Sequence, residues 1–185
     1  MITPLDVLAF WFNNDPATSR AVWFEKDADF DTACATLTAA RDAARAGALE
    51  HWHETPQGSL ALIILLDQLS RNLHRGSAEA FAADARARVV ARDMVARGFD
   101  QALTPVQRTF VYLPLQHSED LADQDESVRL FTALQDITHD DVLEYALRHR
   151  DVIRRFGRFP HRNAALGRTN TPDEDAYLAE PDAGF

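Results

Sequence analysis

The sequence predicts an all-α protein, a set of antiparallel helical hairpins in one domain spanning residues 1–185, and three observations predict it. Threonine-proline pairs at Thr3-Pro4, Thr55-Pro56, Thr104-Pro105 and Thr171-Pro172 each supply an N-cap and then a proline at the first helical position. Gly47, Gly98 and Gly157 stand where helices would stop. No stretch alternates apolar and polar residues long enough to argue a strand.

In chain order, the first helix runs from Pro4 through Phe12 with Asp6 in its first turn, and the second covers Asp27 to Ala46. A helix from Pro56 follows. Ser77 is placed to cap another over Ala78 to Arg97, ending at Gly98. After the Pro105 start, Pro114 is expected to kink or end the helix near Leu113. Spaced apolar residues predict helices over about Leu121 to Leu134 and Asp140 to Phe156, and His161-Arg162-Asn163 opens a short final one. Short Gly- or Pro-marked loops make neighbours antiparallel. The tail from about residue 179, AEPDAGF, is expected to be loosely held.

Composition bounds the function. The chain has 185 residues, 46% of them hydrophobic, enough for one sizeable core. Its start lacks a basic region and meets Asp6, so no signal peptide is expected, and the longest apolar run, Leu60 to Leu66, is too short for a membrane span. Cys34 is alone, which fits a reducing cytoplasm and a structural thiol. No cofactor fingerprint appears. His51 and His53 point to different helical faces, and neither HExxH nor CxxC occurs, so no metal is expected, although His117, Glu119, His149 and His161 could converge in space. A net charge of -10 disfavours nucleic acid. Oligomeric state is not legible.

Three polar clusters interrupt this apolar pattern. The helix from Pro56 is apolar all round through Leu66 and then changes to DQLSRNLHR, where Asp67 and Arg71, Gln68 and Asn72, and Asn72 and Arg75 share adjoining faces. Charges at the end of a buried helix require partners. The second cluster is YLPLQHSED. His117 can titrate near neutrality with Glu119 as its orienter, whereas Ser118 could simply cap the next helix. The third lies between Arg148 and Arg168, where seven arginines meet only Asp151, a net of +6 in a chain of -10. Here His149 lies on a helical face, and Arg158, His161, Arg162 and Asn163 surround a Gly-Pro punctuated connection. A helix N-terminus beside arginines makes an anion trap. Arginines near a helix C-terminus can also simply answer its dipole.

These motifs, with WF at Trp11-Phe12 and Trp23-Phe24, LDQLSRN, YLPLQHSEDLADQ and RFGRFPHRN, resemble the bacterial family called domain of unknown function 924, in the right order and from about Pro4 to Leu178. The resemblance implies a one-domain, tetratricopeptide-like superhelical fold. It implies no activity. It carries over Asp67, Gln68, Arg71, Asn72, Arg75, His117, Ser118, Glu119, His149, Arg158, His161, Arg162 and Asn163 as motif positions.

The leading expectation is a binding module whose arginines hold a small anionic ligand or an acidic peptide. The alternative is a hydrolase-like enzyme using His117, Glu119 and His161 on an anionic substrate. A scaffold whose polar clusters only stabilise it is the third.

Overall fold

The structure, a computed structural model, describes residues 2–135, 142–181 and 183–184, and among them every regular element is helical. In chain order these are α1 (Pro4–Phe12), α2 (Ala28–Cys34), α3 (Thr38–Arg45), α4 (Pro56–Ile63), α5 (Leu69–Leu73), α6 (Asp84–Ala96), α7 (Pro105–Gln116), α8 (Leu121–Gln135), α9 (Val142–Phe156) and α10 (Pro172–Leu178), with short 3-10 turns between them. All four Thr-Pro pairs start helices, at α1, α4, α7 and α10. Each threonine hydroxyl accepts from a backbone N–H of the first turn, and at Thr3, Thr104 and Thr171 the third helical residue reaches back to complete a capping box.

Helix α4 is the hub and packs on α1, α6 and α7. Leu60 through Leu66 are buried, which at about 2 kcal/mol per fully buried large side chain makes this segment the main apolar anchor of the fold. Its start presses on the turn Glu50–Glu54. A Cβ on Gly58 would meet the Trp52 carbonyl oxygen at 2.0 Å. Three of the four residues of the two WF motifs, Trp11, Phe12 and Trp23, are core, whereas Phe24 is exposed. Trp11, Phe12 and Trp23 gather around Phe110 of α7, with Trp23 and Phe110 ring centroids 4.9 Å apart. Beyond the hub, α6 packs on α7, α7 on α8 and α8 on α9, and α7 also reaches α9.

Several expectations change. The predicted second helix is broken by a 3-10 turn, Ala35–Leu37. Ser77 does not cap a helix: its hydroxyl donates to the His74 carbonyl at 3.0 Å, Ala78–Ala80 form a 3-10 turn, and α6 begins only at Asp84. Pro114 does not end α7. Sitting in the last turn, it removes one N–H while the flanking His117 N–H still closes on the Leu113 carbonyl at 2.9 Å. The final turn after Pro160 is 3-10, Pro160–Arg162. The predicted helix start at Asp140 lies outside the described residues, as do Asp182 and Phe185 of the tail. Within the tail, the Gly184 N–H donates to the Tyr177 hydroxyl at 3.4 Å.

Between α4 and α5 the chain makes a π turn, Ile64–Gln68. This wide turn carries Asp67 and Gln68, so the buried helix changes geometry at the point where its side chains change from apolar to polar.

Candidate functional site

A cleft of about 1010 Å³ opens between α5, α7, α9 and the turn Pro160–Arg162. Helix α7 contributes Thr109, Leu113 and Gln116 with His117 at its end, α9 contributes Val142, Tyr145, Arg148 and His149, and the π turn and α5 contribute Gln68, Arg71, Asn72 and Arg75. His161 and Arg162 complete the polar side. The three polar motifs therefore meet, although they are far apart in sequence. Among the described residues, four arginines line this cleft against one acid, Glu25.

Behind the lining lies a buried ionic network. Asp67, 0% exposed, holds Arg71 Nη1 at 2.8 Å and His117 Nδ1 at 2.8 Å, and also accepts from Gln68. Burial alone would raise the Asp67 carboxyl, yet the charge of Arg71, with the hydrogen bonds donated by His117 and Gln68, outweighs it and holds it well below the usual carboxylate range. An ionised carboxylate only accepts, so Nδ1 of His117 carries the proton and Nε2 keeps its lone pair. Burial, with Arg71 nearby, lowers His117 below the ordinary imidazole value and keeps it neutral. Arg71 also forks onto Asp84, both contacts at 3.0 Å.

Arg162 is the exception in this well-paired set. It is 6% exposed and its guanidinium lies between two rings, 4.7 Å from Phe81 and 4.5 Å from Phe159. Its ion pair with Asp84, already engaged by Arg71, is 3.4 Å long, and its Nε has no hydrogen-bond partner among the described residues. Burial and the neighbouring Arg71 pull its pKa down to about 10. Burial and Arg162 likewise push His161 down to about 4, and burial with His117 pushes His149 well below 6.5. His149 Nδ1 is 2.7 Å from the Tyr145 carbonyl, which fixes that nitrogen as the donor. The His117 and His149 rings are 6.3 Å apart.

Other predicted residues belong to the framework. Glu119 does not orient His117; Asp67 does. Glu119 instead accepts from the Phe159 N–H at 2.8 Å and pairs with Arg168 at 2.7 and 2.9 Å, so the expected anion trap at this turn is filled by the protein's own carboxylate. Burial would raise Glu119, but Arg168 and the Phe159 N–H bring it below its usual value. Arg158 lies apart from the cleft and is internally satisfied, with Glu174 at 2.6 and 2.8 Å and the Thr169 carbonyl at 2.9 Å. Asn163 joins the same knot through Asn170, Arg168 and Glu174. Ser118 does not cap α8: it donates to Asp123 at 2.6 Å and accepts from the Asp120 N–H and Arg88, while Asp120, the residue before the helix, accepts from the Ala122 N–H at 2.8 Å. Arg75 forks onto Asp31 at 2.8 and 2.9 Å, and Asn72 donates to the same carboxylate.

Sequence reasoning missed Asp84, Asp31 and Phe81. Asp84 stands in DARARVVARD and reads as one more surface acid of an Arg-rich helix, and no local spacing links it to Arg71 or Arg162. Tyr145 precedes Arg148 by three residues and His149 by four, a spacing that puts it beside both on the helix and a signal that was available.

A model of a family described as bacterial protein of unknown function, DUF924, matches residues 7–182. The chain belongs to this family. A solved structure of another protein of unknown function, from Agrobacterium tumefaciens, matches with a TM-score of 0.87 at 41% identity, covering 96% of this chain and 97% of that one. No curated protein matches the chain. In this DUF924 chain, no helix among the described residues is long and apolar enough to cross a membrane.

Proposed function

We propose that this DUF924 protein is a binding module whose cleft takes a small anionic ligand. The observation that carries the reading is Arg162, a nearly buried guanidinium with one nitrogen unpartnered among the described residues and a long, shared ion pair. A group so placed is costly unless something answers its charge, and an anion in the cleft would do so. Gln68, Arg71, Asn72, Arg75, His117, His149 and His161 line the same space and form the binding wall, while Asp67 fixes Arg71 and His117 from behind. The direct test is thermal unfolding in sulfate or phosphate against chloride at matched ionic strength. An ion-specific, saturating rise in Tm is expected in the parent and in Arg158→Gln but not in Arg162→Gln. Equal responses from parent and Arg162→Gln would sink the binding reading.

A second reading is favoured by one observation, the Asp67–His117 pair at the cleft wall. A neutral imidazole with its Nδ1 proton held by a carboxylate is arranged to accept a proton at Nε2, so the bound anion would be a substrate and His117 its general base. Turnover of any anionic ester by the parent but not by His117→Gln would promote this reading above simple binding.

The consecutive packing of α6 through α9 supports a tetratricopeptide-like superhelical arrangement within one domain. Cys34, buried with its thiol pushed up to about 11 mainly by burial, supports a structural cysteine in a reducing compartment.

A further inference from the structure

The cleft is graded along its length. On α7 the lining residues run Thr109, Leu113, Gln116, His117, and on α9 they run Val142, Tyr145, Arg148, His149, so that Leu113 precedes the polar Gln116–His117 end of one wall, and Val142 and Tyr145 precede the polar Arg148–His149 end of the other. At a helical rise of 1.5 Å per residue these walls are about 12 Å and about 10 Å long. Their polar ends coincide, because the His117 and His149 ring centroids are only 6.3 Å apart, so both gradients run in the same sense. Trp23 and Phe24 lie at the opposite end: Phe24 stacks on Phe110 at 6.2 Å, and Trp23 meets the same ring edge-on at 4.9 Å, beside Thr109 and about two turns from His117.

Two of these apolar residues face water. Phe24 is 60% exposed and Tyr145 49% exposed, yet both line the cleft. An inorganic anion seated at Arg162 would leave this wall wet. Arg75 lies along the cleft too, but its charge is already answered by Asp31. Building on the anion reading above, we infer that the ligand is an amphipathic acid, with its anionic head at Arg162, Arg71 and His117 and a medium-length apolar tail along Leu113, Val142, Tyr145 and Phe24.

The test is a titration of the full chain with acetate, butyrate, hexanoate and octanoate at fixed ionic strength, with inorganic phosphate, 1-octanol and an acidic hexapeptide as comparison ligands. Affinity is expected to tighten by about fourfold per methylene. Octanoate should bind more tightly than phosphate, than uncharged 1-octanol and than the peptide. Both aromatics are largely exposed, so Phe24→Ser/Tyr145→Ser, confirmed as folded by circular dichroism, is expected to flatten the dependence on chain length. Equal affinities for acetate and octanoate, or an unchanged slope in the double variant, would overturn the amphipathic ligand while leaving the anion site standing. Tighter binding of the peptide or of 1-octanol would overturn it as well. Absence of binding by every anion would overturn both readings together.

Discussion

His117 Nδ1 stands 2.8 Å from Asp67 Oδ1, across 50 residues of sequence. This contact ties the polar end of the buried hub helix to the residue that closes α7. Both partners act through their environment: burial keeps the imidazole neutral, and the adjoining arginine keeps the carboxylate ionised.

Asp67→Ala removes the fully buried carboxylate that answers Arg71, His117 and Gln68 from behind the cleft wall. A loss on the order of 3 kcal/mol is expected by denaturant unfolding, since breaking one side of a buried ionic cluster leaves the other uncompensated. Asp84 still holds Arg71, which keeps the loss from being larger. Glu54→Ala, at an exposed acid outside these ion pairs, is the control and should change stability by less than about 0.5 kcal/mol. Matching values for the two variants would contradict the network.

The three cleft histidines set a direction for pH. His117, His149 and His161 are all lowered in the folded state, so the unfolded chain binds protons more readily than the folded one. Their stabilising contribution is complete above about pH 6.5 and is lost as pH falls from there through the folded values, which for His161 lie near 4. For His161 alone the loss amounts to about 3 kcal/mol over that interval. Unfolding measured from pH 7 to pH 4 should show stability falling throughout, and His161→Gln should flatten the curve. A flat parent profile would be inconsistent with buried neutral imidazoles.

At lower pH a second device gives way. Arg158 and the Thr171 N–H hold the Glu174 carboxyl down to about 2, so its contribution is present above the ordinary value near 4.5 and disappears as pH falls from 4.5 towards 2. Because Glu174 also closes the capping box of α10, the amide protection factors within Pro172–Leu178 should fall over that range. Arg158→Gln should show the same loss of protection already at neutral pH. Protection of α10 that ignores the arginine would refute the coupling.

Gly58→Ala tests the hub's seating. Alanine is the better helix former, yet its Cβ would overlap the Trp52 carbonyl, a backbone atom that cannot swing aside. A net destabilisation of about 2 kcal/mol is expected. A stabilised variant would mean that the Glu50–Glu54 turn can retreat at little cost.

Local chemistry was readable in the sequence and long-range pairing was not. Thr3, Thr55, Thr104 and Thr171 announce helix starts because capping involves residues three apart. Ser77 carries the same signal and fails, since its hydroxyl finds the His74 carbonyl first. Asp67 with Arg71 was legible for the same reason of spacing, and Leu60 to Leu66 marked the centre. The partner of His117 was misassigned because Glu119 is close in sequence while Asp67 is close in space. The arginine-rich segment was recognised as a cationic centre, but nothing local says that Arg158 is answered by Glu174 and Arg168 by Glu119, whereas Arg162 is left with a shared, distant carboxylate.

The π turn at Ile64–Gln68 has a consequence for insertion and deletion. One residue fewer in this stretch would restore a regular helical ladder and please every local preference, but each residue beyond it would be re-indexed by about 100° around the axis. Arg71 would swing off Asp84, and Asn72 and Arg75 would leave Asp31. The irregular turn thus works as a phase setter, and a shortened chain could remain helical throughout while losing the alignment on which the whole cleft depends.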